Sequence, residues 1–191
     1  MESLIFSIKQ YIPLSENDEL VIRRLFHWRE YNKNEYLLRA GDVCRNIIFI
    51  ETGLVRYYTD DNEDERTSYF NKEGEFVCDY MSFLPQTPSY VNIQALEDTV
   101  AYTISFESTQ QFYKKVVHGE RFGRLALETV FISVITQVAS LYNDTPIARY
   151  QKLLAKYSDI IVRIPKYCIA SYVGVKFQSL SRMQKYLIYN Y

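Results

Sequence analysis

The side chains best suited to chemistry in this chain lie near its C-terminal end. Gln178, Ser179, Ser181, Arg182 and Lys185 sit within eight residues of one another. Together they offer a guanidinium, an ammonium, an amide and two hydroxyls, the donor set that contacts base edges and phosphates. Arg182 is the candidate for a bidentate guanine contact, whereas Lys166, Lys176 and Lys185 suit phosphate oxygens. Such side chains need a rigid element to present them. Residues 166–185, KYCIASYVGVKFQSLSRMQK, have the pattern of two helices joined by a tight turn. Ala170 is small where the helices cross, and Gly174, four residues on, tolerates positive φ. Leu180 follows, and Ile169, Val173, Val175 and Met183 fill the other inward positions. The pattern predicts a helix-turn-helix whose second helix runs over 177–186. A plain helical hairpin is the competing reading.

Catalytic chemistry finds little support. The two histidines, His27 and His118, are expected in and between helices, far from the clustered imidazoles and carboxylate of a metal-dependent oxygenase. No glycine-rich phosphate loop follows a strand, and no nucleophile has an adjacent histidine. No catalytic residue, metal or cofactor is expected. Cys44, Cys78 and Cys168 are dispersed, without a CxxC arrangement, so neither a disulfide framework nor a zinc site is indicated.

Hydrophobic residues make up 48% of the chain and charged residues 24%, as in a soluble globular protein. The net charge of −1 conceals an asymmetry: residues 1–143 carry −7 and residues 144–191 carry +6. A basic tail on an acidic body suits a nucleic-acid partner, because phosphate contacts supply most sequence-independent affinity. No apolar run reaches about 18 residues, and no standard secretion signal opens the chain. A cytoplasmic location without a membrane partner is expected. The eighteen tyrosines read as packing material with a polar tip.

Upstream of the basic tail, the first 34 residues read as helical. Ser15 and Asp18 cap a helix beginning near Glu16, and Leu20, Val21, Leu25 and Trp28 are its expected inward face. From Glu35 to Phe106 short apolar runs alternate with turn residues at intervals of roughly ten. Val91, Ile93 and Ala95 are expected inward, as are Val100, Tyr102, Ile104 and Phe106. Seven or so such strands predict a closed antiparallel roll or sandwich. The acidic run Asp60 to Glu65 is expected to be a solvated hairpin tip. A short helix over 108–117 follows, and Pro146 opens a later helix capped by Asp144 or Thr145.

Between these parts, residues 120–142 form one long predicted helix. Leu127, Phe131, Val134, Val138 and Leu141 are spaced as a heptad seam. A second apolar stripe, Leu125, Ile132, Ile135, Ala139 and Tyr142, lies about 100° away. Two stripes ask for two partners. A central core helix of a monomer would satisfy them; the preferred reading sets one stripe against the chain's own first half and the other against a second copy. The narrow face with Arg121, Arg124, Glu128, Ser133, Thr136, Gln137 and Ser140 is left for water.

The order of these parts resembles the cyclic-AMP receptor/fumarate–nitrate regulator (Crp/Fnr) family of bacteria. The resemblance rests on Ala40 to Tyr58, AGDVCRNIIFIETGLVRYY, on Gly74 to Phe76, and on Ile169 to Lys185. It implies an α+β chain: an antiparallel β-roll (jelly roll, double-stranded β-helix) of cyclic-nucleotide-binding type with flanking helices over 1–143, including the dimer helix, then an all-α helix-turn-helix domain over 144–191. It further implies a homodimer on palindromic double-stranded DNA, with RNA polymerase as a further candidate partner, a small-molecule effector of unknown identity, and Phe177, Gln178 and Arg182 at base-reading positions. Phe70, Gly74, Glu75, Phe76, Tyr80, Phe83, Pro88 and Ser89 mark the implied effector pocket.

Two departures follow from the same comparison. Nucleotide-binding members place an Arg-Ser or Arg-Ala pair after Gly-Glu, but here the doublet is Pro88-Ser89, and no Lys or Arg occurs from Glu75 to Asp98. Cyclic AMP or cyclic GMP is therefore an unexpected effector, unless Arg39, Arg45 or Arg56 supplies the cation. Tyr80, Phe83 and Tyr90 suggest a filled or weakly polar pocket. The family's β-wing after the second helix is expected to be short or absent. The alternative reading is a ligand- or partner-binding sensor module whose DNA binding is weak or lost.

Overall fold

A computed structural model describes residues 1–61 and 64–190. They form two compact units: residues 1–57 with 70–132, and residues 58–69 with 133–191. The division expected at 143/144 falls instead inside the long helix, and the distal half of one hairpin joins the C-terminal unit. That hairpin comprises β4 (Val55–Asp61) and β5 (Asp64–Asn71). The expected solvated tip includes Asn62 and Glu63, which lie outside the described residues.

Two four-stranded antiparallel sheets build the roll. With β1 (His27–Tyr31), β2 (Tyr36–Leu38), β3 (Asn46–Thr52), β6 (Phe76–Val77), β7 (Asn92–Ala95) and β8 (Thr99–Ser105), their orders are β1-β8-β3-β6 and β2-β7-β4-β5. His27 and Trp28 thus open a strand paired with β8, not a helix. The preceding helices, α1 (Glu2–Lys9) and α2 (Glu16–Leu25), end before them.

The first sheet is covered on both faces, which explains where alternation misleads. Along β3, Ile48 and Ile50 enter the roll core with Val77, Ala95 and Ala101, while Phe49 enters a second core with the helices. On β8 the small Ala101 faces the roll interior, and Ile104 and Tyr102 pack towards the helices. The large side chains of β8 therefore point away from the roll, opposite to the expected sense. On β7, Ile93 and Ala95 are buried as expected, but so is Asn92, whose Oδ1 accepts from Ala40 N at 2.9 Å.

Phe122 anchors the second core. It meets Tyr11, Phe76 and Phe112 edge-on, at centroid distances of 5.5, 5.6 and 5.6 Å. Phe122 belongs to α5 (Gly119–Asn143), which follows α4 (Phe106–Lys115), capped by Ser105. The start of α5 packs in this core through Phe122 and Ala126. Beyond it the helix departs from expectation. Phe131, Val134, Val138 and Leu141 of one stripe are exposed, and so are Ile132, Ile135 and Tyr142 of the other. Of the face assigned to water, Arg121, Arg124, Glu128 and Thr136 are exposed, but Ser133 meets the Tyr69 hydroxyl at 3.1 Å and Gln137 donates to Ser68 O. Hydrogen bonds to the β5 backbone and to a tyrosine hydroxyl reward polar side chains there, so the apolar stripes turn outward. Contrary to the sequence expectation, α5 is long and apolar enough to cross a bilayer, because from Thr129 to Asn143 it carries no charged residue.

α2 carries the capping box read from Ser15 and Asp18. The face turned inward is Asp18, Ile22 and Leu25, while Leu20 is exposed. The cause is the Asp18 carboxylate, which accepts from Ser15 N at 3.0 Å, Ser15 Oγ at 2.6 Å and Val117 N at 2.8 Å. Burial alone would raise its pKa; the bonds from Ser15 and Val117 outweigh burial and hold it below the usual carboxylate value.

A group with a depressed folded pKa contributes stability above its unfolded pKa and loses it as pH falls through the folded value. Asp18→Asn is expected to lower stability by about 1–3 kcal/mol near neutral pH, with the deficit shrinking below about pH 4. Thermal melting of both proteins from pH 7 to pH 3.5 checks this. A deficit constant across that range would contradict the role of the charge.

Candidate functional site

The C-terminal helices are α6 (Pro146–Lys156), α7 (Lys166–Val173) and α8 (Phe177–Asn190). Thr145 caps α6, accepting from Ala148 N at 3.3 Å, with Pro146 in the first turn. Asp144, the other candidate cap, instead accepts from Lys152 Nζ at 2.5 Å. Tyr150, Leu153 and Tyr157 bury the inner face of α6.

Between α7 and α8 the chain turns at Gly174, whose φ of 76° and ψ of 39° place it in the left-handed region. Its N–H donates to Ser171 O, and Val175 N donates to Ala170 O, closing the end of α7. Ala170, Ile169, Val173 and Leu180 are buried in the positions read from the sequence. The second helix extends to Asn190, beyond the expected end at 186. Among the described residues no strand follows α5.

With Leu180 facing inward, the opposite face of α8 lies open. Gln178, Ser181, Arg182 and Lys185 are exposed and spaced by three or four residues, so they share one face. Lys176 and Phe177 are exposed at the start of the helix, Ser179 is half-buried, and Lys166 is exposed at the start of α7. All eight expected DNA-contact residues thus lie on the helix pair or, for Lys176, in the turn that joins it. The presented groups are cationic or hydrogen-bonding, apart from the exposed ring of Phe177.

Three further cations escaped the sequence reading. Arg149, Lys152 and Lys156 line a cavity of about 210 Å³ with Ser133, Gln137, Ser140 and Tyr172. Arg149 donates to the carbonyls of Asp144 at 2.7 Å and Val173 at 2.9 Å, which fixes α6 to the end of α7. Lys156 Nζ lies 4.0 Å above the Tyr69 ring. Burial pushes Tyr172 up to about 12. Their helical spacing in α6 was the available signal.

The expected effector residues do not gather around one cavity. Gly74 and Glu75 form a turn pinned to β3, with Gly74 N donating to Ile50 O and Ile50 N to Glu75 O. Glu75 Oε2 accepts from Asn71 Nδ2 at 2.7 Å. Phe76 lies on the helix-covered side and Tyr80 packs against the roll core, and both line a small gap beside Phe122. Phe70 is fully buried. Phe83 fills the roll core from α3 (Tyr80–Phe83) and packs against Phe106 at 5.3 Å. Pro88 pairs with Val43 in an isolated bridge. Ser89 Oγ donates to Asp79 Oδ2 at 2.7 Å, and Asp79 Oδ1 accepts from Met81 N at 3.1 Å as the cap of α3.

The cavity that does open into the roll measures about 130 Å³ and is lined by Leu38, Val43, Cys44, Arg45, Ile48, Val77, Cys78 and Ile93. Arg45 also lines, with Arg39, Tyr36 and Asp42, a more open pocket of about 390 Å³ beside it. Arg56 is buried and donates from Nε and Nη2 to Gln94 Oε1, and Arg39 stacks 3.7 Å over the Tyr36 ring. Tyr90 is exposed, outside the pocket. Among the described residues no three His, Cys, Asp or Glu side chains cluster for a metal.

Residues 28–116 match the cyclic nucleotide-binding domain family. No curated protein matches the whole sequence. Several solved structures share the fold across nearly the whole chain. FixK2 from Bradyrhizobium japonicum superposes with a TM-score of 0.74 at 15% identity, over 85% of this chain and 84% of that one. The c-di-GMP-responsive global regulator CLP of Xanthomonas campestris gives 0.68 at 17% identity, over 92% and 93%. A protein from Eubacterium rectale assigned to the Crp/Fnr family of transcriptional regulators gives 0.69 at 19% identity, over 93% and 87%.

Proposed function

We propose that this chain, which carries a cyclic nucleotide-binding domain within the fold of Crp/Fnr regulators, is a homodimeric, sequence-specific DNA-binding regulator of a bacterial cytoplasm, not an enzyme. The observation that carries the reading is the open face of α8, held by the Gly174 turn and furnished with Gln178, Ser181, Arg182 and Lys185. A helix presented in this way enters the major groove and reads base edges.

Dimerisation follows from α5. Phe131, Val134, Val138 and Leu141 are 42–66% exposed on a seam spaced for helix pairing, and a second copy is the occupant that matches a heptad stripe. Two recognition helices related by a two-fold would contact half-sites roughly 34 Å apart. Val134→Glu combined with Val138→Glu is expected to give monomers in analytical ultracentrifugation. A persisting dimer would place the interface elsewhere.

DNA recognition divides between the two charged residues. Arg182→Ala should cost about 1–3 kcal/mol on the preferred duplex and relax specificity at one base pair. Lys185→Ala should weaken all duplexes alike and reduce the salt dependence by about one phosphate. Selection from random duplexes followed by titration of both variants measures this. Unchanged affinity in both would remove the recognition-helix assignment.

The effector is proposed to be something other than cyclic AMP or cyclic GMP. The enclosed part of the roll cavity, about 130 Å³, is smaller than the roughly 300 Å³ at which ligand pockets usually begin, and the pocket of about 390 Å³ that shares Leu38, Val43 and Arg45 with it is an open surface hollow. Ser89 is committed to Asp79, and Pro88 offers neither a cation nor an N–H. Arg45 on the cavity wall is the cation left to meet a phosphodiester, without the paired serine that the family pattern sets beside its arginine. The response of CLP to c-di-GMP illustrates that effector chemistry varies on this fold. Calorimetry with either nucleotide should show no saturable binding; a dissociation constant below about 10 µM, equivalent to roughly −7 kcal/mol, would overturn the proposal.

A further inference from the structure

We infer that Cys44 and Cys78 form a site of oxidation by small hydroperoxides, closing into an intrachain disulfide inside the roll. The two Sγ atoms lie 4.0 Å apart, and both side chains line the same cavity, so a peroxide molecule that enters it reaches either sulfur. The cavity holds several water-sized molecules. The cysteines are otherwise enclosed, at 5% and 8% exposure, which excludes larger oxidants and a second protein. Their positions are fixed by their backbones. Cys44 N donates to Ser82 Oγ at 2.8 Å, and Cys78 N donates to the Tyr57 hydroxyl at 2.9 Å. A disulfide requires the sulfurs to close to about 2.05 Å, an approach of roughly 2 Å from their present separation.

The pair is chemically unequal. The Cys78 sulfur, 4.0 Å away, and the Asp79 backbone hold Cys44 below the usual thiol pKa despite burial. Burial pushes Cys78 well above it. Cys44 is thus the nucleophile and Cys78 the resolving thiol. The Cys44 thiolate attacks one peroxide oxygen, the O–O bond breaks, and hydroxide leaves, taking a proton to become water; Cys44 becomes a sulfenic acid. Arg45, on the cavity wall, is the cation nearest to hand for that departing charge. The Cys78 sulfur then attacks the sulfenic sulfur, and the hydroxyl leaves with the Cys78 proton as a second water. Two thiols and one peroxide give one disulfide and two waters.

Cys168, fully buried in α7, provides an internal control. The intact protein would be titrated with hydrogen peroxide, denatured in iodoacetamide and mapped by mass spectrometry. A Cys44–Cys78 linked peptide, formed stoichiometrically and reversed by dithiothreitol while Cys168 stays alkylatable, is expected. In Cys78→Ser, Cys44 should stop at a sulfenic acid trapped by dimedone. In Cys44→Ser, Cys78 should remain reduced at the same dose. The wild-type experiment decides even if a variant fails to fold: both thiols remaining alkylatable at excess peroxide, or a linkage to Cys168 or between chains, overturns the inference. These readouts do not involve DNA, so their failure leaves the regulatory reading standing.

Discussion

The structure depends on one sheet having to bury both of its faces. Strands β3 and β8 lie side by side in the centre of the sheet order β1-β8-β3-β6. Their alternate residues serve two cores: Ile48, Ile50 and Ala101 face the roll, while Phe49 and Ile104 face the helices. A sheet with one wet face would need polar residues at every second position. These strands have apolar residues at both, and that surplus recruits α1, α2, α4 and the start of α5. Phe122 is the keystone of the second core, because three aromatic rings meet it edge-on, each such pair contributing about 0.5–1.5 kcal/mol beyond simple burial.

The helix pair at the other end of the chain follows a different economy. It has a short apolar seam, Cys168, Ile169, Ala170, Val173 and Leu180. The gain from that seam is spent on a defined crossing, for which Gly174 supplies a backbone conformation that a side chain would strain. Arg149 reinforces it by donating to the carbonyl at the end of α7 and to the residue before Thr145. Ser171 extends the same unit by accepting from Thr67 N at 2.7 Å and donating to Glu65 O. The hairpin residues therefore belong with the C-terminal helices, although some hundred positions separate them in the sequence.

Much of the fold was legible where local chemistry dictates local structure. The Ser15–Asp18 box, the strand runs between glycine turns, the start of α6 at Pro146 and the turn at Gly174 all formed where their residues require. The misreadings share one cause, that the partner of a face is not written beside it. Trp28 looked like the last inward residue of a helix because the strand it pairs with, β8, comes about seventy residues later. Tyr102 and Ile104 looked inward because alternation gives a period but no sign. The polar face of α5 looked wet because its hydrogen-bond acceptor, Ser68 O, is a backbone atom that sequence does not advertise. The effector residues scattered for a related reason: family positions fix a place along the chain, whereas a cavity is defined by the atoms that fail to fill space.

What fills that space decides what the roll can sense. Its interior holds Phe83, Ile93 and Ile50, with the partly buried Tyr57 packed against them, whose pKa burial pushes well up. Two of the buried polar groups are already matched: Arg56 with Gln94, and Asp79 with Ser89 and Met81 N. An incoming anion would have to displace such bonds, and breaking one leaves a desolvated partner behind at about 1–3 kcal/mol. A thiol pair makes no comparable demand. Sulfur is a weak hydrogen-bonding group that packs as a small hydrophobe, so it needs no such partners and keeps its reactivity for a small neutral oxidant. The same filling that disfavours a cyclic nucleotide therefore leaves Cys44 and Cys78 as the reactive groups of the cavity.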